Sequence, residues 1–182
     1  MNLDNLSFLR VTKGFVFKPF NCEDDDLNEF LFEEAIPYRK ELLATTFVIE
    51  DDTRTLGYYS LLNDSLQLIK EEMFSSKSQL KKFLRDLIPY PKRHLKNIPS
   101  VKIGRLAVDK SCKGKGLGKI MIHTIISNCL MLNDNQACRL ITVDAYKQAI
   151  PFYQRMGFEF LSDNDKEDST RLMFLDLADL EE

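Results

Sequence analysis

The chain has 182 residues, a hydrophobic content of 44% and a formal net charge of −3, with 13 phenylalanines and no tryptophan. A domain of this length buries roughly 70% of the surface of its unfolded chain, so its core needs neither disulfides nor metal. The four cysteines form no CxxC pair and no His-Cys cluster, which predicts reduced thiols in a cytoplasmic protein and no zinc site. The first ten residues lack the basic start and apolar centre of a signal peptide, and no apolar run approaches the roughly 18 residues of a membrane span.

The first half of the chain predicts strands and short helices. The apolar run Phe15–Phe20 predicts a first strand, and Asp24–Asp26 are cap candidates for the helix that follows. Pro37 predicts the start of a second short helix. The β-branched and aromatic runs TTFVIE and TLGYYSLL predict a hairpin around the charged turn 51–54.

A basic segment follows the hairpin. Residues 64–99 have a helical pattern with proline breakers, and seven lysines and arginines lie between Phe74 and Ile98 against a single acid, Asp86. We interpret this segment as a basic helical insert in a single domain of residues 1–182. Such charge runs are usually solvated faces, with a phosphate-rich partner as the alternative.

The second half alternates strands and helices. The pattern predicts a strand at Val101–Val108, a buried helix that ends near Leu132, a strand at Arg139–Ala145 and a helix at Gln148–Met156. The runs FEFL and TRLMFLDL predict a closing hairpin. The whole order predicts one mixed α/β domain.

The stretch KGKGLGKIM, from Lys113 to Met121, lies between a predicted strand and a predicted helix. Unpaired N–H groups in the first turn of a helix bind anions, and glycine lets a phosphate approach them. A Walker A loop does not fit, because Lys113 stands where its first glycine belongs and Ile120 where its hydroxyl belongs. A Rossmann GxGxxG fails as well, because it would need glycine at Lys119 or Met121.

The stretch fits the pyrophosphate loop of the GNAT acetyltransferases, (Gln/Arg)-x-x-Gly-x-(Gly/Ala), with Lys113, Gly116 and Gly118 in the fixed places. Its context GRLAVDKSCKGKGLGKIMI and the later AIPFYQRMGF, which is similar to a second motif of that family, stand at the expected separation. From about Phe15 to Leu177 the chain therefore resembles GNAT N-acetyltransferases. The resemblance implies a mostly antiparallel sheet with one splayed parallel pair of central strands, flanked by helices.

The resemblance also implies a site for acetyl-CoA as cosubstrate, without metal, between the splayed strands Val101–Val108 and Arg139–Ala145. Tyr153 is the implied general acid for the departing thiolate. The implied cofactor contacts fall in two groups. Those to pantetheine are Leu106, Ala107 and Val108, and those to the pyrophosphate are Lys113, Gly114, Lys115, Gly116, Leu117, Gly118 and Lys119.

Three positions depart from the family pattern. Lys113 replaces the usual glutamine or arginine, and Tyr146 replaces an asparagine that often contacts the cofactor. The strand before the loop carries Lys102 and Arg105 but no carboxylate that could act as a base. Asp144 is the nearest candidate base by sequence, although its position is equally consistent with a structural role. A chain of water molecules, or an amine that arrives already neutral, would make a side-chain base unnecessary.

The acceptor stays open between alternatives. The first is a small or peptidic amine attracted by the acids between Glu23 and Glu34. The second is the amino group of aminoacyl-tRNA, because the stretches GRLAVD…GKGLG and LGYYSL are similar to those of GNAT toxins. This alternative would add tRNA and an antitoxin as partners. The negative net charge favours the first. A third interpretation is an inactive acyl-CoA-binding module. We expect a monomer or homodimer that has no contact with membranes.

Overall fold

The computed structural model describes residues 6–67, 74, 76–88 and 97–180 of the chain. It contains a seven-stranded mixed sheet with the strand order β1-β2-β3-β4-β5-β7-β6. The strands and helices are β1 (Ser7–Arg10), α1 (Asp25–Glu29), α2 (Ala35–Lys40), β2 (Thr45–Glu50), β3 (Thr55–Gln67), α3 (Lys77–Leu87), β4 (Asn97–Val108), α4 (Leu117–Asn133), β5 (Leu140–Tyr146), α5 (Ile150–Arg155), β6 (Glu159–Phe160) and β7 (Thr170–Asp176). The predicted mixed α/β fold is confirmed.

The chain forms two compact units, and the division falls within β4 and within α4. The first unit comprises residues 1–63 and 103–125, and the second comprises residues 64–102 and 126–182. Each unit has its own buried cluster. The cluster of the first unit contains Val11, Phe20, Cys22, Phe30, Leu31, Ala35, Val48, Tyr58 and Ala107, and that of the second contains Leu66, Phe74, Leu87, Ile98, Leu140, Leu161 and Phe174.

In the first unit, the predicted hairpin is confirmed. Strands β2 and β3 pair antiparallel from Thr45 opposite Leu61 onward. The Oδ1 atom of Asp51 accepts hydrogen bonds from the N–H groups of Thr53 and Arg54 at 2.7 and 2.9 Å, which closes the turn between the strands. An aspartate that binds the backbone two residues ahead is a common turn former.

The predicted first strand at Phe15–Phe20 is wrong. This segment is irregular, and its rings pack in the first unit, with Phe20 at 5.5 Å from Tyr58 between ring centroids. The true edge strand is β1, which pairs antiparallel with β2 although all four of its residues are exposed. Because β1 buries no face, it has no alternating hydrophobic pattern from which it could be predicted.

The predicted acidic helix begins where expected and continues further. Asp24 caps α1, since its Oδ1 atom accepts a hydrogen bond from the N–H of Leu27 at 3.1 Å. A π-helical turn at Phe30–Glu34 joins α1 to α2, so the second helix begins at Ala35, before Pro37, and ends at Lys40.

In the second unit, β5 and β7 pair antiparallel over seven residues, and β6 adds two more pairs on the other side of β7. The N–H of Arg139 donates to the carbonyl of Pro99 at 2.9 Å, which links the beginning of β4 to the beginning of β5. Where these two neighbouring strands separate stays a prediction.

Helix α3 lies within the predicted insert, but the insert is shorter than predicted, because residues 64–67 continue β3 and residues 97–99 begin β4. Its apolar side contributes Phe83, Leu84 and Leu87 to the cluster of the second unit, while Lys81 and Lys82 are exposed. The basic residues of this helix therefore lie on its solvent-exposed side, where either interpretation of the basic run places them. Residues 89–96, which carry the rest of the basic run, lie outside the described residues.

Candidate active site

The loop after β4 is anchored by a buried aspartate. Asp109 is 4% exposed, and its carboxylate accepts hydrogen bonds from the N–H of Asn21 at 2.9 Å and from the N–H and hydroxyl of Ser111 at 2.9 and 2.6 Å. Burial alone would raise the pKa of Asp109, but the hydrogen bonds from Ser111 and Asn21 and the charge of Arg54 outweigh burial and lower it. Asp109 thus stays ionised and fixes the start of the glycine stretch.

Two glycines then turn the chain into α4. Gly114 and Gly116 have φ angles of +74° and +85°, in the left-handed region that favours glycine, and a Cβ atom at either position would meet no other atom within 4 Å. The open space in front of these residues is the approach that a phosphate group needs.

The first turn of α4 presents backbone donors. The first helical hydrogen bond runs from the N–H of Ile120 to the carbonyl of Gly116 at 3.1 Å. Among the described residues no acceptor binds the N–H groups of Leu117, Gly118 and Lys119, as the geometry of a helix start dictates. These donors carry the partial positive charge of the helix N-terminus, which favours an anion.

Close packing on Gly57 holds this helix start in place. A Cβ atom on Gly57 would lie 3.0 Å from the carbonyl oxygen of Ala107 and 3.1 Å from Cδ2 of Leu117. Gly57 thus lets α4 approach β3 closely, a contact that no local pattern around this hairpin glycine predicts. Ala107 is buried, while Leu106 and Val108 on either side are half-buried at the end of β4.

The three lysines of the loop differ in their surroundings. The Nζ atom of Lys113 lies 2.9 Å from Oε2 of Glu23, and this hydrogen bond lowers the pKa of the Glu23 carboxyl. Lys115 and Lys119 are exposed and have no acidic partner in the described part of the chain. Lys115 and Lys119 are therefore the loop cations that remain available to a phosphate.

Tyr153 lies in α5 of the second unit and is 5% exposed. Its ring packs edge-on against Phe152 and Phe158, with centroids 5.1 and 5.3 Å apart. No described residue hydrogen-bonds its hydroxyl, and burial raises the pKa of the phenol above its usual range. Gly157, at φ +88°, ends the helix and lets the chain turn into β6. A tyrosine held in this way stays protonated and can donate a proton.

Asp144, the candidate base, already has a partner. Its Oδ2 atom lies 2.6 Å from Nζ of Lys102, and its side chain is 46% exposed. This ion pair between neighbouring strands accounts for both Asp144 and Lys102 by a structural role, which requires no catalytic function. Within the described ranges no group of three or more His, Cys, Asp and Glu side chains could hold a metal ion, and no helix there is long and apolar enough to cross a membrane.

Comparison with known proteins places these features in one family. Residues 28–174 match the model of the acetyltransferase (GNAT) domain. A tRNA-acetylating toxin of Mycobacterium tuberculosis (strain ATCC 25618 / H37Rv) is 26% identical over 151 residues, which are 82% of each chain.

Solved structures agree with this assignment. A tyrosine-to-phenylalanine mutant of KacT has 28% identity and a TM-score of 0.76 over 97% of this chain and 98% of its own. AtaT complexed with acetyl-methionyl-tRNAfMet has 25% identity and a TM-score of 0.75 over 97% of both chains. The chain belongs to the GNAT acetyltransferase family and is an acetyltransferase that uses acetyl-CoA.

Proposed function

We propose that this enzyme transfers the acetyl group of acetyl-CoA to the α-amino group of an aminoacyl-tRNA. The observation that carries the proposal is the likeness over 82% of the chain to a tRNA-acetylating toxin. The AtaT complex with acetyl-methionyl-tRNAfMet supports the same acceptor. The sequence alone favoured a small or peptidic amine, and these relatives favour its alternative.

Three of the seven acids that suggested a cationic small substrate have structural partners. Asp24 caps α1, Glu23 binds Lys113, and Asp26 lies 3.9 Å from Arg105. These contacts account for part of the acidic run without a substrate. They weaken the argument for a small cationic amine that the run had supplied.

The lack of a free carboxylate base on β4 also favours an α-amino acceptor. The reference pKa of an α-amino group is about 8 and that of a lysine side chain about 10.4, so near pH 7.5 roughly a quarter of the former but only about one in a thousand of the latter is neutral. An α-amine can therefore attack without a dedicated base, whereas a lysine-like amine needs one.

For the reaction we assign roles to this chain's own residues. The N–H groups at Leu117–Lys119 hold the pyrophosphate, and the end of β4 at Leu106–Val108 pairs with the pantetheine amides. The neutral amine attacks the thioester carbonyl carbon, the C–S bond breaks, and the Tyr153 hydroxyl protonates the departing thiolate. The proton lost by the amine passes to solvent, and the phenolate regains its proton from solvent.

The test is acetyl transfer from radiolabelled acetyl-CoA to a set of purified aminoacyl-tRNAs beside an equal set of free amino acids, polyamines and peptides. We expect acid-precipitable label on one or more aminoacyl-tRNAs, and none on deacylated tRNA or on aminoacyl-tRNA whose amino group is blocked. Label on the free amines alone would contradict the proposal. An antitoxin partner, and a monomeric or homodimeric state, remain predictions.

A further inference from the structure

A basic cavity lies in the first unit, on residues that neither the glycine loop nor α3 supplies. Its volume is about 560 Å³, and it is lined by Arg10, Thr12, Lys13, Arg39, Lys40 and Leu42. The lining comes from two segments, the end of β1 with the turn after it and the end of α2. No acid lines it, and in the described part of the chain none of its four bases forms an ion pair.

The fold alone does not account for this set of charges. Arg39 and Lys40 stand in the last turn of α2, where cations interact favourably with the helix dipole. That explanation does not cover Arg10 and Lys13, which belong to a different segment and face the same cavity. Four unpaired like charges around one cavity repel one another, so a bound anion would relieve them.

The end of α2 has a second unusual feature at the same cavity. The N–H of Leu43 donates to the carbonyl of Tyr38 at 2.9 Å and that of Leu42 to Arg39 at 3.3 Å, a Schellman ending. Such an ending favours glycine at the position of Leu42, which here adopts a φ angle of +57° with its side chain 79% exposed. A strained leucine that points into solvent beside the bases offers an apolar contact to a ligand.

We propose that this cavity binds the phosphodiester backbone of the RNA substrate, with the lysines and arginines on phosphates and Leu42 against a ribose or base. The inference rests on the proposed function and assigns the RNA contact to this cavity instead of the basic helix α3. Lysine and arginine contacts to phosphate release counterions, so the binding they support weakens steeply with salt.

The experiment compares two variants that each lose three positive charges. The cavity variant is Lys13→Gln, Arg39→Gln and Lys40→Gln. The matched control is Lys81→Gln, Lys82→Gln and Arg85→Gln on the solvated face of α3. Affinity for uncharged tRNA is measured by fluorescence anisotropy at several salt concentrations, and thermal unfolding confirms that each variant is folded.

We expect the cavity variant to bind tRNA at least about tenfold more weakly at low salt and to lose about two to three units of the log–log salt slope, at 0.7–0.9 units per phosphate contact. The control should stay within about twofold of the native protein. If the cavity variant unfolds, the pair Arg10→Gln and Lys13→Gln, outside the helix, takes its place.

Equal losses in the two variants would show diffuse attraction and overturn the inference, as would a cavity variant that binds like the native protein. Native protein that binds polyglutamate but not tRNA would assign the cavity to an acidic protein and overturn it too. The acetyl-transfer assay tests the proposed function separately: the proposed function fails if the native enzyme acetylates no aminoacyl-tRNA.

Discussion

Tyr153→Phe tests the proposed general acid with little disturbance of the fold. The substitution removes one hydroxyl, and the ring keeps its edge-on contacts with Phe152 and Phe158. Because no described residue hydrogen-bonds the hydroxyl, its loss leaves no partner unpaired. We expect the free energy of unfolding to change by less than about 1 kcal/mol.

The expected effect on turnover is much larger than the effect on stability. A positioned general acid contributes about 10²–10⁴-fold, which corresponds to about 2.7–5.5 kcal/mol of activation free energy. The KM for acetyl-CoA should scarcely change, since the proton is transferred only in the transition state. Thiol release followed with a chromogenic disulfide, under single-turnover conditions, measures the chemical step.

The pH dependence of the native enzyme adds a second measurement. Burial raises the pKa of Tyr153 above the ordinary phenol value, so the group keeps its proton through neutral and moderately alkaline pH. The native rate should therefore not fall between about pH 8 and pH 10 through loss of this proton. A decline there that vanishes in the Phe variant would mean that the phenol titrates normally, against the buried environment described above.

The control for Tyr153 separates packing from chemistry. Phe158→Leu weakens the ring contact and keeps the hydroxyl, so we expect a lower thermal midpoint with a rate within about fivefold of native, below about 1 kcal/mol. Should Tyr153→Phe retain more than about a third of the native rate while chemistry limits turnover, Tyr153 is a packing residue and the reasoning is refuted.

Three further changes test the loop and the end of α2. Gly118→Glu should abolish acetyl-CoA binding in a calorimetric titration with the fold intact, because a negative side chain would stand at the helix start; retained micromolar binding would make the loop structural. Asp109→Ala should cost about 1–3 kcal/mol in urea unfolding, because it removes the hydrogen bonds that Asn21 and Ser111 donate to a buried charged carboxylate. As its pKa is lowered, the stability from Asp109 is present above its unfolded value of about 3.9 and is lost as pH falls through the folded pKa, so native and variant should converge in acid. Leu42→Gly should relieve about 1–2 kcal/mol of left-handed strain and add about 0.4–1 kcal/mol of chain entropy cost. The thermal midpoint should therefore rise by up to about 6 °C, whereas Leu43→Gly should lower it.

Local signals made much of this fold predictable. Asp24 caps its helix and Asp51 closes its turn through hydrogen bonds to residues two or three positions ahead, which the sequence displays directly. The glycine stretch is predictable for the same reason, because the glycines that adopt left-handed φ angles are close together in the sequence. Strand β1 was missed because pairing with β2, and not burial of its own side chains, makes it a strand.

The missed features of the site depend on contacts between distant residues. Lys113 and Glu23 are 90 positions apart, and Gly57 matters only because α4 packs on it. The basic cavity joins segments around Arg10 and Arg39, neither of which has a notable charge run. The one long basic run, by contrast, is visible in the sequence, and its described part lies on the exposed side of an amphipathic helix.

A net charge of −3 by itself disfavours an RNA substrate, but net charge is a poor guide to a local electrostatic field. At physiological ionic strength the Debye length is about 8 Å, so carboxylates elsewhere on the surface scarcely reduce the potential at the cavity. Several of the chain's cations also form ion pairs with its own carboxylates, as Arg139 does with Asp176 and Arg171 with Asp165. What attracts a phosphate is a local set of bases without carboxylate partners. Arg10, Lys13, Arg39 and Lys40 form one such set. An acidic protein can therefore present a basic surface where its substrate binds, and only the salt dependence of binding, not the isoelectric point, can show it.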